Sequence, residues 1–304
     1  MRVLVTGGGG FIGSHLATAL VDAGYETVIY DNFSRFSEEK LRNVVDKSKI
    51  VKGDIKDLNK LTETVPGAEV VVHLAAVSRV DASIVSHINT FEINGTGTLN
   101  ILEYCRRFGS KLIFASSWMV YDPGEAAKMK PLSEEAKTGP ITPYGVSKLF
   151  GEQCCRLFSY LYHVPTIVLR FSNVYGLGDK ERLIPLLISK AKRDDEIHIF
   201  GKEQTLNFVH VEDIVNAVCL VISNNVELTA NTFNIGTERS IRLMELASKI
   251  ISLCGSASKL VINPHRPFDY KYYQPDITKA KTCISYEPKV GLQNGIKKCV
   301  EYYP

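Results

Sequence analysis

The sequence has no apolar run of the roughly 18 residues that a membrane span requires. It also has no cysteine spacing suited to a metal site or a disulfide framework. Its seven cysteines are an odd number, irregularly placed and without a CxxC pair. Cys154 and Cys155 are adjacent, which suits neither an ordinary disulfide nor zinc. Reduced thiols in a cytoplasmic protein are the expectation. His73 and His210 have no partners at metal-ligand spacing, so both read as structural and no metal is expected. A dense cationic patch is missing too. The formal net charge is +3 over 304 residues, and the longer charged runs, such as Arg193-Asp194-Asp195-Glu196, mix signs. That argues against nucleic acid as a partner and describes solvated surface. No charged leader or signal-peptide core precedes the first apolar segment, which starts at Arg2, so neither membrane nor export is expected. Repeats and low-complexity segments are not visible.

What is present is an ordinary globular composition, 45% apolar and 23% charged, enough to bury a core. The length suits a dinucleotide-binding domain with a smaller partner. Strands are expected at Arg2–Thr6, Glu26–Asp31, Lys49–Gly53, Glu69–Ala75, Lys111–Ser116 and Pro165–Phe171. Helices are expected at Phe11–Ala23, near Asp57–Val65, over Asp81–Phe108 as one long element, and at Thr142–His163. This alternation predicts a parallel sheet covered on both faces. Beyond about Gly176 the pattern loosens, with helical segments at Val211–Ile222 and Leu243–Leu253. The expected fold class is α/β: a Rossmann-type doubly wound parallel sheet with a smaller C-terminal α/β substrate domain. The division is placed at 1–176 and 177–304, with chain segments partly interleaved.

Between the first strand and first helix stands Thr6-Gly7-Gly8-Gly9-Gly10-Phe11-Ile12-Gly13. Gly7, Gly10 and Gly13 form a GxxGxxG fingerprint in the context it requires. Glycines permit the tight turn and let backbone N–H groups reach a pyrophosphate at a helix N-terminus. Asp31 ends the second strand, 18 residues after Gly13. An acid there suits the ribose hydroxyls of NAD and repels the 2′-phosphate of NADP. Asp54, after the third strand, is placed to reach the adenine or to cap the next helix.

Tyr144-Gly145-Val146-Ser147-Lys148 contains YxxxK, which puts both functional groups on one helix face. A free tyrosine titrates at about 10. A nearby ammonium and an oxidised nicotinamide favour the phenolate, making Tyr144 a usable base. Ser117, at the carboxyl end of the fifth strand, faces the ligand side of such a sheet and can hydrogen-bond the oxygen that Tyr144 deprotonates.

These motifs, with HLAA at His73–Ala76, NxxGT at Asn94–Thr98, SSxxVY from Ser116 and RxxNVYG at Arg170–Gly176, resemble the extended short-chain dehydrogenase/reductases. The resemblance covers nearly the whole chain and is greatest to nucleotide-sugar epimerases of the UDP-glucose 4-epimerase type. It implies catalysis by Ser117, Tyr144 and Lys148. It implies NAD contacts from Gly7, Gly10, Phe11, Ile12, Gly13, Asp31, Asn32, Asp54, Ile55, Leu74, Ala75, Ala76, Asn94, Tyr144 and Lys148. Asn173 matches a diphosphate contact, and Leu183 and Phe200 match positions around the nucleotide. Arg266 and Asp269 match an RPxD segment for phosphate and ribose. A nucleotide-sugar substrate and a homodimer built on the two long helices are implied.

Two departures stand out. Related dehydratases carry Asp-Glu after the catalytic Ser/Thr, and UDP-glucuronate decarboxylases carry Glu before the valine. Here those places hold Trp118 and Met119, which disfavours both reactions and leaves oxidation and re-reduction at one carbon. The family's Arg-Asp before the aromatic residue is here Leu206-Asn207, so one diphosphate clamp is missing, with Arg182 or Arg266 as substitutes. Tyr273 matches a position that is bulky in enzymes for plain hexoses. Two rivals to epimerisation are a reductase or dehydrogenase with net NAD(H) turnover and a non-enzymatic NAD-sensing protein.

Overall fold

The computed structural model describes residues 1–36, 41–223 and 231–303. In chain order the elements are β1 (Arg2–Thr6), α1 (Phe11–Asp22), β2 (Glu26–Asp31), β3 (Lys49–Lys52), α2 (Leu58–Thr64), β4 (Val70–His73), α3 (Val80–Val85), α4 (His87–Phe91), α5 (Gly97–Phe108), β5 (Lys111–Ser117), α6 (Pro123–Ala126), α7 (Pro143–Tyr162) and β6 (Thr166–Phe171). They continue with β7 (Asn173–Tyr175), α8 (Leu183–Lys192), β8 (Ile197–Phe200), β9 (Thr205–His210), α9 (Val211–Ser223), β10 (Asn231–Ile235), β11 (Ser240–Arg242), α10 (Leu243–Cys254), β12 (Leu260–Asn263), α11 (Thr278–Ile284) and α12 (Leu292–Tyr302).

The main sheet has seven strands in the order β10-β6-β5-β4-β1-β2-β3. β1 pairs in parallel with β2 and β4, β2 with β3, and β4 with β5. The chain winds outward from β1 in both directions, which makes a switch point between β1 and β4. Its central strands are apolar on both faces, as a sheet sandwiched by helices demands. Val3, Leu4 and Val5 are fully buried, and so are Val71 and Val72. This is the expected α/β Rossmann-type fold.

Two compact units emerge. One holds Met1–Val120, Thr138–Arg170 and Ala217–Phe233; the other holds Tyr121–Lys137, Phe171–Asn216 and Asn234–Pro304. Segments therefore cross the 176/177 division in both directions. The second unit contains a three-stranded sheet, β11-β9-β7, and the parallel pair β12-β8.

The single helix expected over Asp81–Phe108 is broken. Ser86 leaves helical geometry (φ −128°, ψ 66°) between α3 and α4. A π-helical turn, Glu92–Thr96, then joins α4 to α5. Such turns carry one extra residue and recur at functional sites; this one carries Asn94.

Candidate active site

In the first unit the loops after β1, β2, β3 and β4 converge at the carboxyl ends of the strands. Gly7 adopts φ +71°, and a Cβ there would lie 2.6 Å from the Ala75 nitrogen. The loops carrying Gly7 and Leu74-Ala75-Ala76 are thus in backbone contact. At Gly13 a Cβ would fall 2.2 Å from the Gly7 carbonyl oxygen, so α1 can approach the turn only as glycine. Gly10 caps α1 without a side chain. Helix geometry leaves the first-turn N–H groups, from Phe11 and Ile12 onward, without acceptors inside the helix. Together this is a cradle that fits a dinucleotide pyrophosphate.

The Asp31 carboxylate accepts N–H bonds from Gly9 at 2.9 Å and from Phe33 at 2.8 Å. Burial pushes this carboxyl upward, opposed by those backbone donors. Asp31 therefore locks the glycine turn to the end of β2. Asn32 donates to Asp54 at 3.3 Å, and Asp54 accepts from the Lys56 N–H at 2.9 Å. Ile55 is buried, and a Cβ on Gly97 would lie 2.4 Å from its Cδ1. Asn94 is buried and exchanges bonds with Val77, accepting at 2.8 Å and donating at 3.0 Å, and it donates to Ser147 Oγ at 2.9 Å. The π turn thus aims one amide at both the loop after β4 and the helix α7.

Ser117 ends β5, and its hydroxyl accepts from the Met119 N–H at 3.3 Å. Thr142 caps α7 by accepting from Gly145 at 3.1 Å, with Pro143 in the first turn. At Gly145 a Cβ would meet the Met119 carbonyl at 2.5 Å, so the start of α7 presses on the turn that follows Ser117. The Tyr144 N–H donates to Ser83 Oγ at 3.2 Å. One helical turn on, Lys148 is buried and donates to the Ala115 carbonyl at 2.8 Å. Burial pushes its ammonium down to about 8, against the pull of negative charge at Glu152. The end of β5 that carries Ser117 and the start of α7 that carries Tyr144 and Lys148 are thus in contact within this unit. Ser83 and Ser147 belong to the assembly and were not singled out by sequence.

In the second unit the expected nucleotide residues fall into separate places. Phe200, Arg266 and Asp269 form one cluster. Arg266 lies 5.0 Å from the Phe200 ring centroid and 4.8 Å from that of Phe268, and it donates to Asp269 through Nε (2.8 Å) and Nη2 (2.9 Å). Asn173, on β7, donates to the Asn207 carbonyl at 2.8 Å. Leu183 opens α8. Leu206 is buried and pairs across to Ile241 on β11. Asn207 is fully buried; its amide accepts from the Thr237 N–H and donates to Thr237 and Arg239 carbonyls, fastening the loop before β11. Both proposed substitutes for the missing clamp face carboxylates already, Arg182 at 3.4 Å from Asp179 and Arg266 on Asp269. Tyr273 is fully buried and stacks on Tyr121, which makes it core.

His73 bonds Thr6 and Thr98 and is buried. Among the described residues no group of His, Cys, Asp and Glu could hold a metal ion, and no helix is long and apolar enough to cross a membrane.

Comparison with known proteins agrees with this geometry. The model of the NAD dependent epimerase/dehydratase family matches residues 3–236. A putative UDP-glucose 4-epimerase of Methanocaldococcus jannaschii is 33% identical, over 99% of this chain and 97% of its own. A UDP-N-acetyl-alpha-D-glucosaminuronate decarboxylase of Bacillus cytotoxicus is also 33% identical, with the same coverage of 99% and 97%. The structure of the UDP-glucose 4-epimerase of Thermotoga maritima with UDP-glucose superposes with a TM-score of 0.92 at 33% identity, covering 99% of this chain and 98% of that one. The cofactor is NAD. The chain belongs to the NAD-dependent epimerase/dehydratase family, whose members act as epimerases, dehydratases and decarboxylases of nucleotide sugars.

Proposed function

We propose that the chain is an NAD-dependent nucleotide-sugar epimerase acting at C4 of a UDP-hexose. The observation that carries this reading is the pair Trp118-Met119. The turn Trp118–Val120 that follows Ser117 is buried, and neither of its first two side chains can move a proton. Elimination of water and loss of a carboxyl group both need an acid or base beside the sugar ring. What remains is oxidation and re-reduction at one carbon.

Tyr144 takes the proton from the sugar hydroxyl. Ser117 holds that oxygen by hydrogen bond, and Lys148 supplies the positive charge that favours the phenolate. NAD held in the cradle of Gly7, Gly10 and Gly13, beside Asp31, would supply the hydride acceptor and donor for the sugar carbon. The 4-keto sugar turns within the site between the two transfers, and Tyr144 gives the proton back. Asn173, Leu183, Phe200, Arg266 and Asp269 hold the nucleotide diphosphate. The Arg266 fork exchanges Asp269 for phosphate oxygens, as its planar donors allow. A homodimer forms through α5 and α7, supported by exposed Leu99, Phe150, Leu157 and Leu161 on these helices.

The test is a product assay. The purified protein is incubated with NAD and, separately, with UDP-glucose, UDP-galactose, their N-acetyl forms and UDP-glucuronate, and isomers are resolved by NMR. Conversion of one to its C4 epimer without net absorbance at the NADH band bears the proposal out. Net NADH formation, or release of carbon dioxide or water, overturns it.

A further inference from the structure

Glu152 lies on α7 four residues after Lys148 and eight after Tyr144, so the three share one helix face. Its side chain is buried, as is that of Arg170 near the end of β6. Arg170 donates to the two carboxylate oxygens from Nε at 2.9 Å and from Nη2 at 2.7 Å. The hydroxyl of Ser116 donates to Glu152 Oε1 at 2.5 Å. The ammonium of Lys148, one turn earlier, donates to the Ala115 carbonyl. α7 is thereby tied to Ala115 and Ser116, the two residues that precede Ser117. Close approach is possible because position 151 is glycine, where a Cβ would lie 2.4 Å from the Phe114 ring.

No proton step of the proposed reaction needs this carboxylate. A buried ion pair is also weak evidence for a purely stabilising role, since desolvation offsets most of its attraction. Its third bond gives it a different use: the end of β5 is held against α7 at the residue before the reacting serine. We propose that Glu152, gripped by Arg170, is a positioning residue that sets Ser117 against Tyr144 and Lys148 by clamping Ser116. This rests on the reading of Ser117, Tyr144 and Lys148 as the reacting groups.

Ser116→Ala removes the clamp and leaves the Glu152–Arg170 pair intact. Misplacement of a reacting group by ~1 Å costs up to about 10²-fold. We expect kcat to fall at least about tenfold, with KM and NAD content near the parent and little change in Tm. Loss confined to kcat marks an interaction realised in the transition state. Glu152→Gln should lower kcat in the parent but not further in the Ser116→Ala background, because the two act through one contact. If Glu152→Gln does not fold, Ser116→Ala decides alone. The chain's one tryptophan, Trp118, is buried two residues beyond Ser116. Its emission in Ser116→Ala should shift to the red and quench more readily with acrylamide. A kcat at the parent level in Ser116→Ala overturns the proposal, whatever happens to Tm. If the parent converts no sugar, the reading of the function fails instead, and the sugar-free Trp118 measurement decides: unshifted emission then overturns the clamp.

Discussion

Tyr144 sits in the first turn of α7, where its backbone N–H donates to Ser83 Oγ. Tyr144→Phe keeps the ring and removes the hydroxyl. Turnover should fall by about 10²–10⁴-fold, while NAD stays bound at the parent stoichiometry, as read from absorbance of the purified protein. Surviving activity would sink the mechanism. The sequence made Tyr144, Lys148 and Ser117 legible because local periodicity and a strand end place them. Ser83, Ser147 and Glu152 were not legible, because their partners lie 61, 53 and 36 residues away and only folding joins them. His73 carries a pH prediction of its own. Burial lowers its pKa to about 3, from an ordinary value of about 6.5, so the fold favours the neutral ring. That contribution is complete above about pH 6.5 and drains as pH falls from there toward 3, at up to ~1.4 kcal/mol per pH unit. Urea unfolding of parent and His73→Gln between pH 6.5 and 4.5 measures it, and equal slopes in the two proteins would count against it.

Among the elements, the turn from β1 into α1 is the most constrained. Gly13→Ala puts a methyl group where 2.2 Å separates Cβ from the Gly7 oxygen. Overpacking of this kind costs about 1–3 kcal/mol. Displacing the cradle should weaken NAD binding by about ten- to a hundredfold, which isothermal titration with NAD would report. Parent-like affinity would show that the turn relaxes. Most strands and helices of the first unit were readable to within one or two residues, since apolar strand runs alternate there with helical segments. The break at Ser86 was not legible because nothing in His87–Phe91 opposes a helix, and the π turn was not because Asn94 meets its partners, Val77 and Ser147, only in the fold. Later elements escaped for another reason. β7 and β11 have three residues each, and β8 and β12 four; runs this short show no clear period-2 pattern, and here no regular strand–helix alternation marks them as it does the four-residue β3 and β4.

At the scale of the whole molecule, α7 presents Phe150, Leu157 and Leu161 to the outside, with Leu157 and Leu161 half exposed. Apolar stripes of this kind mark interfaces. Sedimentation should give the mass of two chains, and Leu157→Glu should shift the population to one chain without unfolding it. A parent that sediments as a single chain refutes the dimer. The missing arginine at position 206 is also read best at this scale. Leu206 is packed against Ile241 across β9 and β11, so restoring a cation there would disturb the ladder as well as the ligand.

The seven-stranded sheet has one further implication. Its outermost strand on one side, β10, is drawn from residues 231–235, beside β6 at 166–171. During translation β6 leaves the ribosome some sixty residues before the strand that covers it. For that interval the sheet ends at β6 instead of β10, and an unpaired strand edge is a template for other chains. The order of synthesis thus leaves the six-residue β6 awaiting its neighbour until residue 235 has been made.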